Sequence, residues 1–273
     1  MSYKHLLYDK FDAIAKITVN RPQVMNVISR LTYEELDEAF TQAEDDDEVK
    51  VIVVAGAGDN FGAGHDLGTP EMLEEEKSSP RDNTPLGMMK YMDRVWWGMH
   101  DHWRNIGKPT IAMVQGYCIM GSWMLAAACD LIVASEDAKF TDRLVRWGGA
   151  HDEYPTLFWD LGPRKAKEYL WTGDFIDGKE AWRLGMVNRV VPRERLEEET
   201  IRLAKRIALN EAIGLRLSKL SVNQAVDIMG QSTAVKASCN VFLMASFRMR
   251  AEGERQMDVE WVKGRNKPFD EQP

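Results

Sequence analysis

Cysteine is scarce in this chain of 273 residues: Cys118, Cys129 and Cys239 are the only three, with no C-x-x-C pair. An odd count without close pairing argues against a disulfide framework and for a reducing cytoplasm. Two of the three lie in an apolar stretch and read as buried, inert thiols. His-rich or Cys/His spacing of a metal site is absent, so no metal is expected. No apolar run approaches the roughly 20 residues that span a bilayer. The opening MSYKHLLYDKFD lacks the basic-then-apolar pattern of a secretory signal. A cytoplasmic protein without a membrane partner is therefore expected. Positive charge is also in deficit: 35 lysines and arginines against 43 acids leave −8. Such a surface has no broad attraction for nucleic acid.

What is present suits one large domain, with 44% hydrophobic and 29% charged residues. Residues 3–8 and 13–19 read as strands separated by the polar cluster Asp9-Lys10-Phe11-Asp12. From Ser29 or Thr32 to about Asp45, Leu31, Leu36, Ala39, Phe40 and Ala43 recur at helical spacing. Buried strands are expected at 49–55, 110–114 and 131–135, where apolar, largely β-branched runs occur. The polar stretch 69–83 reads as an insertion or mobile loop. Residues 86–106 return to helical spacing, with Trp96, Trp97 and Trp103 assigned to a lid or to the core. A short helix is expected at 125–128 and a strand at 187–191. Beyond Pro163 the pattern is mostly helical, over 163–171, 178–185, 193–210, 214–230 and 232–252. Strands alternating with helices predict an α/β architecture.

Three segments are candidates for chemistry. Asn60-Phe61-Gly62-Ala63-Gly64-His65-Asp66-Leu67 follows a buried strand and has glycines where a backbone could approach a ligand. Gln115-Gly116-Tyr117-Cys118-Ile119-Met120-Gly121-Ser122 enters a helix through small residues, which leaves free N–H groups to face an anion or a developing oxyanion. Neither contains G-x-G-x-x-G or Gly-Lys-Ser/Thr, so the dinucleotide and P-loop readings fail. Trp147-Gly148-Gly149-Ala150-His151-Asp152-Glu153-Tyr154-Pro155 places His, Asp and Glu together in a loop, a possible acid/base source. Each also has a plain reading, as a tight turn or a solvated charge cluster.

In order along the chain these segments, with Arg21-Pro22 and Asn26, Asp130-Leu131-Ile132-Val133-Ala134, Ala138-Lys139-Phe140, Gly162-Pro163-Arg164-Lys165-Ala166, Thr172-Gly173, Leu184-Gly185-Met186-Val187 and Val191-Pro192, resemble the enoyl-CoA hydratase/isomerase (crotonase) superfamily. The resemblance covers nearly the whole chain. It implies repeated ββα units forming two roughly perpendicular sheets over 1–195. It also implies a helical oligomerisation region over 196–273, used for a homotrimer or dimer of trimers. The implied ligand is a coenzyme A thioester, with the coenzyme A carried by the substrate and no other cofactor. The implied oxyanion hole is the backbone N–H of His65 and of Gly121. Coenzyme A would lie along Val24, Met25, His65, Asp66, Leu67, Gly68 and Gly121, and the basic Lys263, Arg265 and Lys267 are candidates for its phosphates.

The sequence departs from that pattern at the acids. Hydratases of the family use two glutamates to add water, and Met124 and Leu144 stand at those places. The remaining candidates are Glu153 and Asp152, between which spacing does not decide, with His151 beside them. A carboxyl flanked by Trp147 and Tyr154 is expected to be shielded, with a raised pKa. The side chain of His65 either reaches the substrate or caps its turn. The reading is therefore an enoyl-CoA hydratase-like enzyme acting through an enolate. The alternatives are double-bond isomerisation, C–C hydrolysis of a cyclic β-keto acyl-CoA, or silent acyl-CoA binding.

Overall fold

Apolar, mostly β-branched runs in the first two-thirds of the chain become strands. The computed structural model describes residues 3–251 and 259–270. Its strands are β1 (Leu6–Phe11), β2 (Ile14–Val19), β3 (Val51–Gly56), β4 (Thr110–Val114), β5 (Tyr117–Ile119), β6 (Leu131–Ser135), β7 (Lys139–Thr141), β8 (Ile176–Asp177) and β9 (Arg189–Val191). Six form one sheet in the order β1-β2-β3-β4-β6-β9, parallel except for the β1–β2 hairpin. A second, mixed sheet has the order β5-β7-β8. The polar cluster expected to be the first turn is instead mostly strand: the chain reverses only at Asp12, where φ is 51°. An edge strand tolerates such residues because one face meets water. Lys10 there lies 2.7 Å from Asp46 and 2.6 Å from Glu48.

The helices are α1 (Arg30–Asp45), α2 (Pro70–Ser78), α3 (Pro85–Tyr91), α4 (Gly98–Asn105), α5 (Gly121–Ala127), α6 (Leu157–Asp160), α7 (Gly162–Thr172), α8 (Gly178–Arg183), α9 (Leu196–Ala208), α10 (Ala212–Ile228), α11 (Gln231–Ala251) and α12 (Val259–Asp270). A π-helical segment, Met92–Trp96, joins α3 to α4. Helix α1 starts at a capping box between Ser29 and Thr32. It buries Leu36, Ala39, Phe40 and Ala43. Trp103 of α4 stacks on Phe40 with ring centroids 5.2 Å apart, which makes it a core residue. Strand β3 is buried on both faces. Ile52 and Val54 join the main core, and Val51, Val53 and Ala55 pack with Leu196 and Ala204 of α9. Thus the first helix of the 196–273 region is itself packed on the sheet.

Part of the stretch read as a loop, 69–83, is helix α2. Thr69 Oγ1 accepts from Met72 N–H at 3.2 Å, and Pro70 occupies the first turn. The helix is anchored through charge. Glu71 pairs with Lys4, lies 2.9 Å from His5 Nε2, and accepts from Arg21 at 3.1 Å. Arg21 also donates to Asp66 Oδ2 at 2.9 Å and Val27 O at 2.6 Å. The Arg21 and Asp66 side chains are 3% and 1% exposed. Removing one member of a buried pair strands the other charge. Arg21→Ala is therefore expected to lower the unfolding free energy by about 3–5 kcal/mol, read from urea denaturation.

Helix α10 buries no residue and leaves Ile213, Leu217 and Leu220 exposed. Helix α11 does pack, through Val235, Cys239, Phe242 and Leu243. Residues 263–267 lie on α12, where Lys263 pairs with Glu260 at 2.8 Å and the Arg265 guanidinium sits 5.1 Å from the Trp261 ring centroid. Helix α12 is tied to the loop after β7 by Trp147 Nε1 donating to Asn266 Oδ1 at 3.2 Å. No helix among the described residues is long and apolar enough to cross a membrane.

Candidate active site

The segment after β3 runs between two neighbours. On one side Gly62 N–H donates to Tyr117 O at 2.8 Å, and Ile119 N–H donates to Gly62 O at 3.0 Å. On the other, Ile28 N–H donates to Gly64 O at 2.8 Å, and Asp66 N–H to Ile28 O at 3.0 Å. Because Ile28 bonds only Gly64 and Asp66, the His65 N–H points away from Ile28. Gly64 has φ +96°, and a Cβ there would sit 3.0 Å from Ile119 O and 3.7 Å from Gly121 N. The two glycine turns therefore touch. Ser122 fastens them, its Oγ accepting from Gly64 N–H at 3.0 Å.

Just before Gly121, Met120 holds φ 44° and ψ −114°, a conformation costly for a side-chain-bearing residue, by about 1–3 kcal/mol. It is fixed at both ends: its N–H donates to Thr141 O at 3.1 Å, and its carbonyl accepts from Met124 N–H at 2.9 Å. That geometry sets the direction of the next N–H. Among the described residues, neither the His65 nor the Gly121 backbone N–H donates a hydrogen bond. Met124 and Leu144 are both buried apolar side chains.

The loop 147–156 supplies the acids, and the two candidates separate. Glu153 is 4% exposed, and its Oε2 lies 3.0 Å from His65 Nε2. Its carbonyl accepts from the Cys239 thiol at 3.2 Å, which ties the loop to α11. That thiol is pushed up to about 12 by burial. Asp152 makes no hydrogen bond with His65 among the described residues; its carboxylate accepts from Tyr154 N–H, and its backbone N–H bonds Asp142. The Asp142 Oδ2 accepts from Asp152 N–H at 2.6 Å, and its Oδ1 accepts from Leu144 N–H at 2.9 Å. His151 has its Nδ1 2.7 Å from the Asp152 carbonyl oxygen. The His65 imidazole thus joins the site by its side chain, with Tyr33 and Trp96 at centroid distances of 6.1 and 6.0 Å.

Burial pushes Asp142 up to about 6. Asp152 is raised well above the usual carboxyl range, by burial first and then by Asp142 and Glu153. The folded state therefore holds these protons to higher pH than the unfolded chain. The stability they contribute is complete below about pH 4 and is lost as pH rises through the folded values. Asp152→Asn removes one buried charge while keeping an acceptor for Tyr154 N–H, which donates at 3.1 Å. The variant is expected to melt at least about 3 °C above wild type at pH 8 and equal to it at pH 4, by calorimetry.

The coenzyme A candidates lie around the His65 turn. Asp66 is engaged internally. Burial raises its pKa, but bonds from the Thr69 hydroxyl, the Thr69 and Gly68 N–H groups and Arg21 outweigh that and lower it. Gly68 faces open space, and Met25 is 47% exposed with its carbonyl accepting from Ala63 N–H at 2.9 Å. Val24 and Leu67 are half-buried. On the acid side, Met88, Met92, Met120, Leu144, Trp147, Phe242 and Leu243 form an apolar cluster with Cys239. The sequence reading missed Ser122, Asp142 and Cys239. Only Asp142 has a local signal, an acid two residues after the Ala138-Lys139-Phe140 motif.

The family model for enoyl-CoA hydratase/isomerase matches residues 9–263. The "Putative enoyl-CoA hydratase EchA13" of Mycobacterium tuberculosis is 41% identical over 248 residues, covering 85% of this chain and 78% of that protein. The "Crotonyl-CoA hydratase" of Syntrophomonas wolfei is 33% identical over 232 residues, covering 83% and 84%. An enoyl-CoA hydratase/isomerase structure from Xanthobacter autotrophicus Py2 superposes with a TM-score of 0.84 at 28% identity, covering 98% of this chain and 99% of that one.

Proposed function

Because the chain belongs to the enoyl-CoA hydratase/isomerase family, we propose that it binds an acyl-CoA thioester and adds water across a 2-enoyl double bond through an enolate. The observation that carries this reading is the pair of uncommitted N–H groups, His65 and Gly121, on two turns in contact beside a buried carboxylate. A thioester oxygen held between them gains negative charge as the enolate forms. Fixed backbone donors stabilise that charge, each by about 3 kcal/mol, whatever side chains surround them. Glu153 is the acid/base group. Its Oε2 is engaged by His65, and its Oε1 has no hydrogen bond among the described residues. Asp152 supports the loop through Asp142. Coenzyme A lies along the Val24–Met25 turn and residues 65–68, where an exposed Met25 and open space over Gly68 leave room. It arrives with the substrate, and the proposed site needs no other cofactor.

The exposed stripe Ile213, Leu217 and Leu220 on α10 supports self-association as a homotrimer or a dimer of trimers. Sedimentation equilibrium reads this directly, and a monomer at micromolar concentration would refute it.

Turnover of a trans-2-enoyl-CoA panel, from short chains to bulky acyl groups, tests the reaction. Loss of the enoyl absorbance is expected. Full inertness across the panel would remove the hydration reading. One observation favours a second reading: with Met124 and Leu144 apolar, a single carboxylate suffices to move a proton between two carbons. Conversion of a 3-enoyl-CoA without hydration would establish that isomerisation.

A further inference from the structure

We infer that the imidazole of His65, and not its backbone N–H alone, handles the proton at the carbon next to the thioester, while Glu153 handles the proton of the attacking water. The inference rests on the enolate reading above and adds a second acid/base group to it. Hydration needs two such groups, one to deprotonate water and one to protonate the neighbouring carbon.

The other titratable side chains near the two turns are either hydrogen-bonded elsewhere or fully buried. Asp142 accepts from the Leu144 and Asp152 N–H groups, and Asp152 accepts from Tyr154 N–H. His151 sits on the Asp152 carbonyl. His100 is fully buried with its Nδ1 2.6 Å from Trp96 O, and burial lowers its pKa to about 3, so it stays neutral. Tyr33 is buried, and its phenol is raised well above the ordinary value, mainly by burial.

His65 is placed differently. Its Nε2 lies 3.0 Å from Glu153 Oε2. The same ring covers Gly121: a Cβ there would be 2.6 Å from Cε1, 2.8 Å from Nδ1 and 3.0 Å from Nε2. The imidazole thus touches both the acid and Gly121, and its Nδ1 is the ring nitrogen not engaged by Glu153. On this inference a thioester oxygen sits on the Gly121 N–H with its neighbouring carbon, C2, at the Nδ1 of His65 and the far carbon of the double bond, C3, at the free Oε1 of Glu153.

Glu153 starts as carboxylate and His65 as imidazolium. Oε1 takes a proton from water as the water oxygen bonds to C3. The C2=C3 electron pair moves onto the thioester oxygen as the enolate. The enolate collapses, and C2 takes the Nδ1 proton. Water is consumed, Glu153 is left protonated and His65 neutral. Both reset by exchange with solvent, which the 18% exposure of the imidazole permits.

The competing role is that His65 merely props Glu153. His65→Ala keeps the backbone donor, and His65→Gln keeps a hydrogen-bond donor for Glu153 but does not titrate. Three readouts separate the roles: hydration kinetics, deuterium wash-in at C2 of a saturated acyl-CoA in heavy water, and rescue by added imidazole. Both His65 variants are expected to lose about 10²–10³-fold in kcat with KM within about threefold. Both should lose C2 exchange, and His65→Ala should regain part of it with imidazole. Glu153→Gln should lose hydration yet retain C2 exchange. Near wild-type turnover or C2 exchange in His65→Gln overturns the inference, leaving a propping role. Wild type that binds acyl-CoA but neither hydrates nor exchanges overturns it together with the enolate reading, an outcome distinct from defects confined to His65 variants.

Discussion

Glu153→Gln is expected to reduce kcat on the best enoyl-CoA by about 10³-fold with KM nearly unchanged. The substitution is close to isosteric. A glutamine carbonyl still accepts from His65 Nε2, so the 3.0 Å contact survives. The Cys239 contact involves the backbone carbonyl and is not altered. What is lost is the ability to take and return a proton. The side chain is only 5% exposed, so the substitution removes a desolvation penalty together with the attraction to the His65 imidazole. The two changes oppose each other, and the melting temperature should stay within about 3 °C of wild type while activity falls. Calorimetry beside steady-state kinetics checks both. Unchanged kcat in a well-folded variant would move the proton chemistry to Asp152 or elsewhere.

Gly121→Ala is expected to cost about 10²-fold or more in kcat although the N–H it would supply is formally kept. The residue opens α5 without positive φ, so its backbone accepts alanine. Alanine is also the better helix residue. The obstacle is the imidazole, whose Cε1, Nδ1 and Nε2 would lie 2.6, 2.8 and 3.0 Å from the new methyl. The ring must swing off Glu153, and the space for the thioester changes with it. The two residues are in contact, so their effects should not add. The double variant with His65→Ala should be no slower than His65→Ala alone. A Gly121→Ala enzyme with wild-type kinetics would show that neither the ring position nor the donor geometry matters.

Much of the scaffold is legible in the sequence because it is local. Val51–Gly56, Thr110–Val114 and Leu131–Ser135 are continuous apolar runs, and they are the central strands. Helix α2 is not legible by periodicity, since it buries only Met72. Its evidence is the Thr69-Pro70 cap and the ion pairs of Glu71, which come from residues far along the chain. The two glycine turns can be read from small residues after buried strands. The choice between Asp152 and Glu153 cannot, because the loop between the 3-10 turn at Leu144–Trp147 and α6 has no periodicity to orient a side chain. The position of Glu153 is set by partners 88 and 86 residues away, His65 and Cys239. The twisted backbone of Met120 is likewise invisible locally, since methionine gives no sign of a positive φ.

The distance in sequence between those partners also sets an order of assembly. A chain emerges from the ribosome N-terminus first and its parts begin to fold as they appear. Gly64, Gly121, Ser122 and Thr141, which together fix the two donor groups, are all in hand once β7 has been made. Glu153 appears soon afterwards and finds His65, but its carbonyl lacks its thiol partner until Cys239 on α11 has followed. The two glycine turns are thus complete early in synthesis. The loop that carries Glu153 is tied down only when the last third of the chain has followed.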